Sequence, residues 1–141
     1  MEANDECRAL HTALIDAKAG YDKATEDSDK PALTALFRDM AALHNRHHAE
    51  IHSLLLTSGA KPYDRGSFMS TVHETVIGAR AAIVGLDEHS LAAFASGEER
   101  IMERYDKAIA AAERTPAAEI LRHQKGELAN KVADMKRIAN T

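Results

Sequence analysis

Apolar residues recur at intervals of three and four along almost the whole chain, and this spacing places them on one face of an α-helix. The first such segment ends before the polar run at 26–30. A second segment follows, with Asp29 as its predicted N-cap and Pro31 in its first turn. It continues to Gly59, which is placed as a glycine that ends a helix in the left-handed conformation. The pattern therefore predicts two long helices joined by a tight link.

The second half of the chain repeats this arrangement after a longer connection. Residues 61–66 predict a loop, and Ser67 can cap a shorter helix that reaches about residue 84. Asp87 is the predicted cap of the third long helix. Thr115 is the predicted cap of the fourth, with Pro116 at its first position. No alternation typical of β-strands and no tandem repeat competes with this interpretation.

The lengths of the links predict how the helices are arranged. Tight links make the first and second long helices one antiparallel pair and the third and fourth another, and a long crossover joins the pairs. This predicts an all-α, ferritin-like four-helix bundle with a short extra helix in the crossover. At 141 residues we expect a single domain spanning 1–141.

Composition and charge narrow the function classes. The net charge is −4, with Lys and Arg scattered among the acids, so no basic face predicts nucleic-acid binding. The acidic first residues do not resemble a signal peptide, and the longest apolar stretch is interrupted by Arg80. The single Cys7 cannot form an internal disulfide. We expect a cytoplasmic protein with no membrane or nucleic-acid partner.

A dense histidine cluster, LHNRHHAEIH, lies in the second helix at residues 43–52. Rotation of about 100° per residue places His44 and His47 in the middle of the apolar stripe. His48 falls at the edge of the stripe, whereas His52 points mostly to solvent. Only two of the four histidines are therefore predicted to face the bundle interior.

Other polar residues are predicted at a similar depth. Glu98 lies near the centre of the stripe of the third helix, and a buried carboxylate is costly unless it is paired or bound to a metal. Lys18 of the first helix and Lys131 of the last helix fall at roughly the same level. Tyr105 is a possible hydrogen-bond donor to Glu98. These residues could form one polar layer inside the bundle.

We expect no di-iron site of the ferritin type in this layer. Such sites need a Glu from each of two helices and a Glu-x-x-His motif from each of the other two. The chain has no inward Glu-x-x-His, since Arg122 follows Glu119 three residues later, and lysines stand where carboxylates are needed.

Two interpretations of the layer remain open. His44, His47 and Glu98 could bind a single Fe, Mn or Zn ion or a small ligand, with possible redox activity. Alternatively, Glu98 pairs with Lys18 or Lys131 and the histidines make ordinary core hydrogen bonds. We favour the lysine pairing, because a nearby ammonium group repels a metal ion.

The functional expectation follows from this choice. No catalytic residues and no cofactor-binding residues can be assembled from the sequence, which favours a protein that is not an enzyme. We expect a non-catalytic interaction or structural module that dimerises through alanine-rich helix faces.

Several ordered motifs resemble one known family. They are DAKAGYDKATED, ALFRDMAALHNRHHAEI, the Gly66-Ser67 pair followed by VHETV, and GEERIMERYDKAI. Together they are similar to a bacterial ferritin-like family catalogued as a domain of unknown function, the 2383 family. The resemblance implies a ferritin-like bundle and brings no established activity. The chain differs from the family at VHETV, where an aromatic residue often follows the histidine, and at Lys131, in a region that is often polar or carries a histidine.

Overall fold

The computed structural model describes residues 2–59 and 87–140. These ranges contain four long helices, in agreement with the prediction. They are α1 (Glu2–Asp27), α2 (Pro31–Thr57), α3 (Leu91–Ala111) and α4 (Pro116–Ala139), with a short 3-10 helix at Glu88–Ser90 before α3. The predicted short helix after Ser67 lies outside the described residues.

The helix ends confirm some of the predicted caps and correct others. Gly59 has φ +82° directly after α2, as expected for a terminating glycine. Asp87 forms a capping box with Ser90, in which each side chain accepts from the other residue's backbone N–H. The prediction that Asp29 caps α2 is wrong, because Lys30 holds the N-cap position and no side-chain cap bond forms. Thr115 does precede Pro116 at the start of α4, but its hydroxyl donates to the Ala112 carbonyl.

The two helix pairs are antiparallel, as the short links predict. The Ser58 hydroxyl at the end of α2 donates to Asn4 at the start of α1, at 2.9 Å. In the second pair, Lys125 of α4 pairs with Asp106 of α3, and Lys136 further along α4 forms a 2.6 Å ion pair with Glu99, which lies earlier in α3. Later residues of α2 contact later residues of α3, in the order Phe37 with Phe94, His44 with Glu98 and His47 with Tyr105. These two helices therefore run parallel. A helical bundle with this order places the inward faces of all four helices around one core.

The core is apolar at its ends and polar near its middle. Tyr21, Phe37 and Phe94 form an aromatic cluster from three helices, with ring centroids 5.0–6.2 Å apart. Further buried apolar side chains surround it, among them Leu10, Leu14, Met40, Ile51, Leu91, Leu121, Leu128 and Met135. Cys7 is also buried with a free thiol, and burial followed by the charge of Glu6 raises its pKa. Within the described ranges, no helix has an apolar stretch long enough to cross a membrane.

Candidate functional site

The structure confirms the predicted burial of His44 and His47 and the border position of His48 among the clustered histidines of α2. His44 and His47 are fully buried, whereas His48 is half-buried. His52 is more enclosed than expected, since it is half-buried and its ring contacts His11. The two inward histidines lie one turn apart on α2 and face α3 and α4.

His44 makes a direct contact with Glu98 of α3. Its Nε2 lies 2.8 Å from Oε2 and 3.1 Å from Oε1 of the carboxylate, and both side chains are buried. The Tyr21 hydroxyl of α1 also donates to Glu98, and the Tyr21 ring stacks on the His44 ring at 5.7 Å. Burial, followed by the charge of Glu98, raises the pKa of Tyr21, so the phenol stays protonated as a donor. Three helices therefore supply one buried Tyr–Glu–His group.

This arrangement corrects the expected lysine pairing. The Lys18 ammonium lies 2.7 Å from Asp22, one turn later on the surface of α1, so the prediction that Lys18 neutralises Glu98 is wrong. Lys131 is half-buried on α4, and the hydrogen bonds of Glu98 come from α1 and α2. The physical reason lies in the length of the lysine side chain and the solvation of its ammonium group. A lysine at the edge of the stripe can keep its ammonium in water, whereas His44 already points at the carboxylate.

His47 belongs to a second polar group, which joins α2 to α4. Its Nε2 lies 3.1 Å from Oε1 of Glu127, a half-buried carboxylate whose other oxygen accepts from Arg46 at 2.7 Å. Burial, the largest influence, raises the pKa of Glu127, but the His47 hydrogen bond and the charge of Arg46 outweigh it and the net pKa is lowered. Glu127 therefore receives two partners from α2, the helix that it faces, and its Oε1 also lies 3.6 Å from His123 one turn earlier on α4.

Gln124 of α4 completes this second group. Its amide nitrogen donates to the His47 carbonyl at 3.2 Å and to Glu50 at 3.1 Å. Its amide oxygen accepts from the Tyr105 hydroxyl of α3 at 2.8 Å. The prediction that Tyr105 donates to Glu98 is wrong, because the hydroxyl proton goes to Gln124. The His47 Nδ1 is 3.4 Å from the same hydroxyl. The seam between α2 and α4 is therefore held by polar side chains.

The predicted metal ligands are only partly brought together. His44 and Glu98 touch, whereas the Nε2 of His47 is directed at Glu127. Over residues 2–59 and 87–140, no three His, Cys, Asp or Glu side chains present their donor atoms as they stand for a metal ion. For His44 and Glu98 to bind an ion, their mutual hydrogen bonds would have to break first.

Three residues of importance were missed from the sequence. The three- and four-residue spacing groups Tyr21 with the apolar residues of α1, although its hydroxyl reaches Glu98. Glu127 was not singled out, although it follows the inward Gln124 by three residues and therefore lies on the same side of α4. His11 was also overlooked. It follows the buried Leu10 and precedes Leu14 by three residues, and it is itself buried.

Removing the Tyr105 hydroxyl tests the second polar group. Tyr105→Phe leaves the Gln124 oxygen without its donor, and we expect the free energy of unfolding to fall by about 1–2 kcal/mol. Urea denaturation followed by circular dichroism measures this change. An unchanged midpoint and slope would mean that the hydrogen bond contributes nothing to stability.

The buried histidines predict a loss of stability in mild acid. Burial is the main cause that lowers the pKa of His47 and of His48 below the usual 6.5. As the pH falls through 6.5, the unfolded chain takes up protons that the folded chain still refuses, so folding becomes less favourable. Urea denaturation at a series of pH values between about 7.5 and 5 measures the effect, which arises where histidines titrate.

Two variants identify which residues cause that loss of stability in acid. His47→Gln is expected to reduce the pH dependence to the part that His48 contributes, whereas His123→Asn, which changes an exposed side chain, is expected to keep it in full. A stability that stays constant between about pH 7 and pH 5.5, across the histidine range, would contradict the burial argument.

Comparison with known proteins gives a family and no activity. A family model described as "Domain of unknown function (DUF2383)" matches residues 2–111, which include α1, α2 and α3. No curated protein and no solved structure matches the chain. The match confirms the family that the ordered sequence motifs indicated.

Proposed function

The chain belongs to the family of the domain of unknown function DUF2383, and we propose that it acts as a non-catalytic interaction module that binds a second copy of itself. We further propose that it is a bacterial, cytoplasmic protein and that its bundle is ferritin-like. The tight links within each helix pair and the long connection across residues 60–86 support that topology.

The interior of the bundle supports a structural role for the polar layer. The buried carboxylate of Glu98 accepts hydrogen bonds from His44 and Tyr21. Gln124 is hydrogen-bonded to residues of α2 and α3. Groups that bond to each other in this way hold helices in one register and offer few free donors to a substrate. This favours a function on the outer surface of the helices.

One stripe on α2 is the observation that carries the proposal. Ala35, Ala42 and Ala49 are exposed and separated by seven residues, and the series continues to Leu56. Leu56 is 58% exposed, and among the described residues it is the one large apolar side chain that is exposed. A spacing of seven keeps positions close to one line along a helix, and small residues let a second helix approach closely. We call these four residues the α2 stripe.

The surroundings of the α2 stripe suit a second copy of the same chain. Ala42 also lines an open groove of about 570 Å³ between α1 and α2. The groove carries both signs of charge, with Lys18 and Arg38 beside Asp22 and Glu26. A two-fold interface brings the same surface onto itself, so a patch with both signs can be complementary to its own copy.

Light scattering after size exclusion tests self-association. The wild-type chain is expected to show a dimer whose mass falls towards the monomer on dilution. Ala42→Glu places a charge in the α2 stripe and is expected to give a monomer at concentrations where the wild type is dimeric. Ala129→Glu, at an exposed alanine of α4, is the matched control and is expected to remain dimeric. A wild-type chain that is a monomer over a wide range of concentrations would overturn the proposal.

A second candidate function is the binding of one Fe, Mn or Zn ion or a small ligand by His44, His47 and Glu98. The observation in its favour is that the buried Nδ1 of His44 has no hydrogen-bond partner among the described residues. Elemental analysis of untagged protein tests it, with His47→Ala as the variant. Metal that is present in the wild type and lost in His47→Ala supports this candidate, and its absence from both, with no stabilisation by added metal, rejects it.

A further inference from the structure

The groove between α1 and α2 contains two charged side chains that the chain itself leaves unpaired. Glu26 lies on the α1 wall and Arg38 on the α2 wall, and both are exposed. The other two charged residues of the groove, Lys18 and Asp22, pair with each other at 2.7 Å. Within residues 2–59 and 87–140, by contrast, neither Glu26 nor Arg38 has an ion pair or a side-chain hydrogen bond. One charge of each sign, on opposite walls, is therefore available to another molecule.

Glu26 and Arg38 lie at nearly the same height along the groove. The helices α1 and α2 are antiparallel, and Tyr21 of α1 contacts both Phe37 and His44 of α2. Glu26 follows Tyr21 by five residues, so it is level with a point on α2 that is within about one turn of Arg38. The two charges thus face the same section of any surface that covers the groove.

A second copy of the chain pairs both charges at once if the two-fold axis runs along the groove, parallel to the helices. A half-turn about such an axis keeps each residue at its height and sets the α1 wall of one copy against the α2 wall of the other. Glu26 then faces the partner's Arg38, and Arg38 faces the partner's Glu26. Each charge that loses water in the interface meets the opposite sign, which is the condition for electrostatic complementarity.

A two-fold axis that runs across the groove would be less favourable. It would set α1 against the partner's α1 and bring Asp22, which lies midway between Lys18 and Glu26 along that helix, close to its own copy. Like charges that face each other across an interface are destabilising. Arg38 would also face the partner's Asn45 instead of a carboxylate.

We propose that the dimer forms about a two-fold axis along this groove and that reciprocal Glu26–Arg38 ion pairs fix its register. The inference rests on the proposed self-association and specifies its symmetry and its contacts. The helix that approaches the α2 stripe is then α1 of the partner.

Charge reversal, measured by sedimentation equilibrium, tests the pairing. Glu26→Arg and Arg38→Glu each replace two attractive contacts per dimer with two repulsive ones. Each is expected to raise the Kd of the dimer by about 100-fold, roughly tenfold for each of the two contacts. Both side chains are exposed, so the helix content and the urea midpoint are expected to stay near those of the wild type.

An equimolar mixture of the two variants is the decisive sample. In a heterodimer of Glu26→Arg with Arg38→Glu, both contacts again join an arginine and a glutamate. We expect this heterodimer to form with a Kd within about threefold of the wild-type value, and native mass spectrometry distinguishes it from either homodimer by mass. Pairing within one chain cannot give this result, because each variant chain carries like charges at the two positions.

Matched controls reverse charges elsewhere on the surface. Glu103→Arg and Arg104→Glu change exposed side chains of α3, outside the groove, and are expected to keep the wild-type Kd. A wild type that dimerises while either groove reversal leaves the Kd unchanged, or a mixture that stays monomeric, would overturn the groove interface and leave self-association standing. A wild type that is a monomer at every concentration would instead overturn self-association, and this inference with it.

Discussion

Glu98→Ala is expected to lower the free energy of unfolding by about 3–5 kcal/mol, the usual cost of removing one partner of a buried ionisable pair. The change leaves the Nε2–H of His44 and the hydroxyl of Tyr21 buried without the carboxylate that both donate to. It also leaves a space between α1, α2 and α3, and a cavity adds its own cost. Urea denaturation monitored by circular dichroism measures the loss.

The adjacent Glu99 gives a matched control for that experiment. It is the same residue type one position later, but it is exposed and pairs with Lys136 at the surface. Glu99→Ala is expected to change the free energy of unfolding by less than about 0.5 kcal/mol. Equal effects of the two substitutions would contradict the interior placement of Glu98.

Replacing the whole Tyr–Glu–His group is expected to restore most of the stability that Glu98→Ala loses. In the triple variant Tyr21→Phe, His44→Leu and Glu98→Met, no donor or acceptor of the group is left buried without a partner. Buried ion pairs can often be exchanged for apolar side chains of similar volume with effects between neutral and about 4 kcal/mol stabilising. We therefore expect the triple variant to be within about 1 kcal/mol of the wild type or more stable.

The triple variant also asks whether the polar group has a role beyond stability. Its free energy of unfolding and its oligomeric state are measured on the same sample. If it folds as stably as the wild type and still dimerises, the group acts in helix register and the interaction surface lies elsewhere, as proposed. A triple variant as unstable as Glu98→Ala would show that packing, and not polar pairing, explains the loss.

The backbone architecture was largely predictable from the sequence because it depends on local signals. The three- and four-residue spacing of apolar positions, together with Pro31, Gly59 and Pro116, gave the four helices and their breaks. The Asp29 cap was mispredicted, because Lys30 fills the N-cap position directly before Pro31. A cap depends on the backbone conformation of a single residue. The spacing of apolar positions does not locate a helix end to within one residue.

The inward direction of the polar residues was predictable, but their pairing was not. Helical rotation correctly placed His44, His47 and Glu98 in the interior. Which of them touch depends on crossing angles and side-chain reach between helices, which a single helix pattern does not contain. For that reason the sequence pattern predicts a lysine as the partner of Glu98, whereas the partner is His44. The pattern also gives no sign that Glu127 is the partner of His47.

A double-mutant cycle between His44 and Glu98 tests most directly the claim that the buried polar residues hydrogen-bond directly to each other, with no metal ion between them. His44→Leu, Glu98→Met and the double variant are unfolded in urea, first with a metal chelator present and then with added Zn²⁺. We expect a favourable coupling energy of about 2–3 kcal/mol, at the high end for residues in contact, with the same value in both conditions. A coupling that is absent with the chelator and appears only with Zn²⁺ would contradict the claim, because a metal ion would then be what joins the two residues.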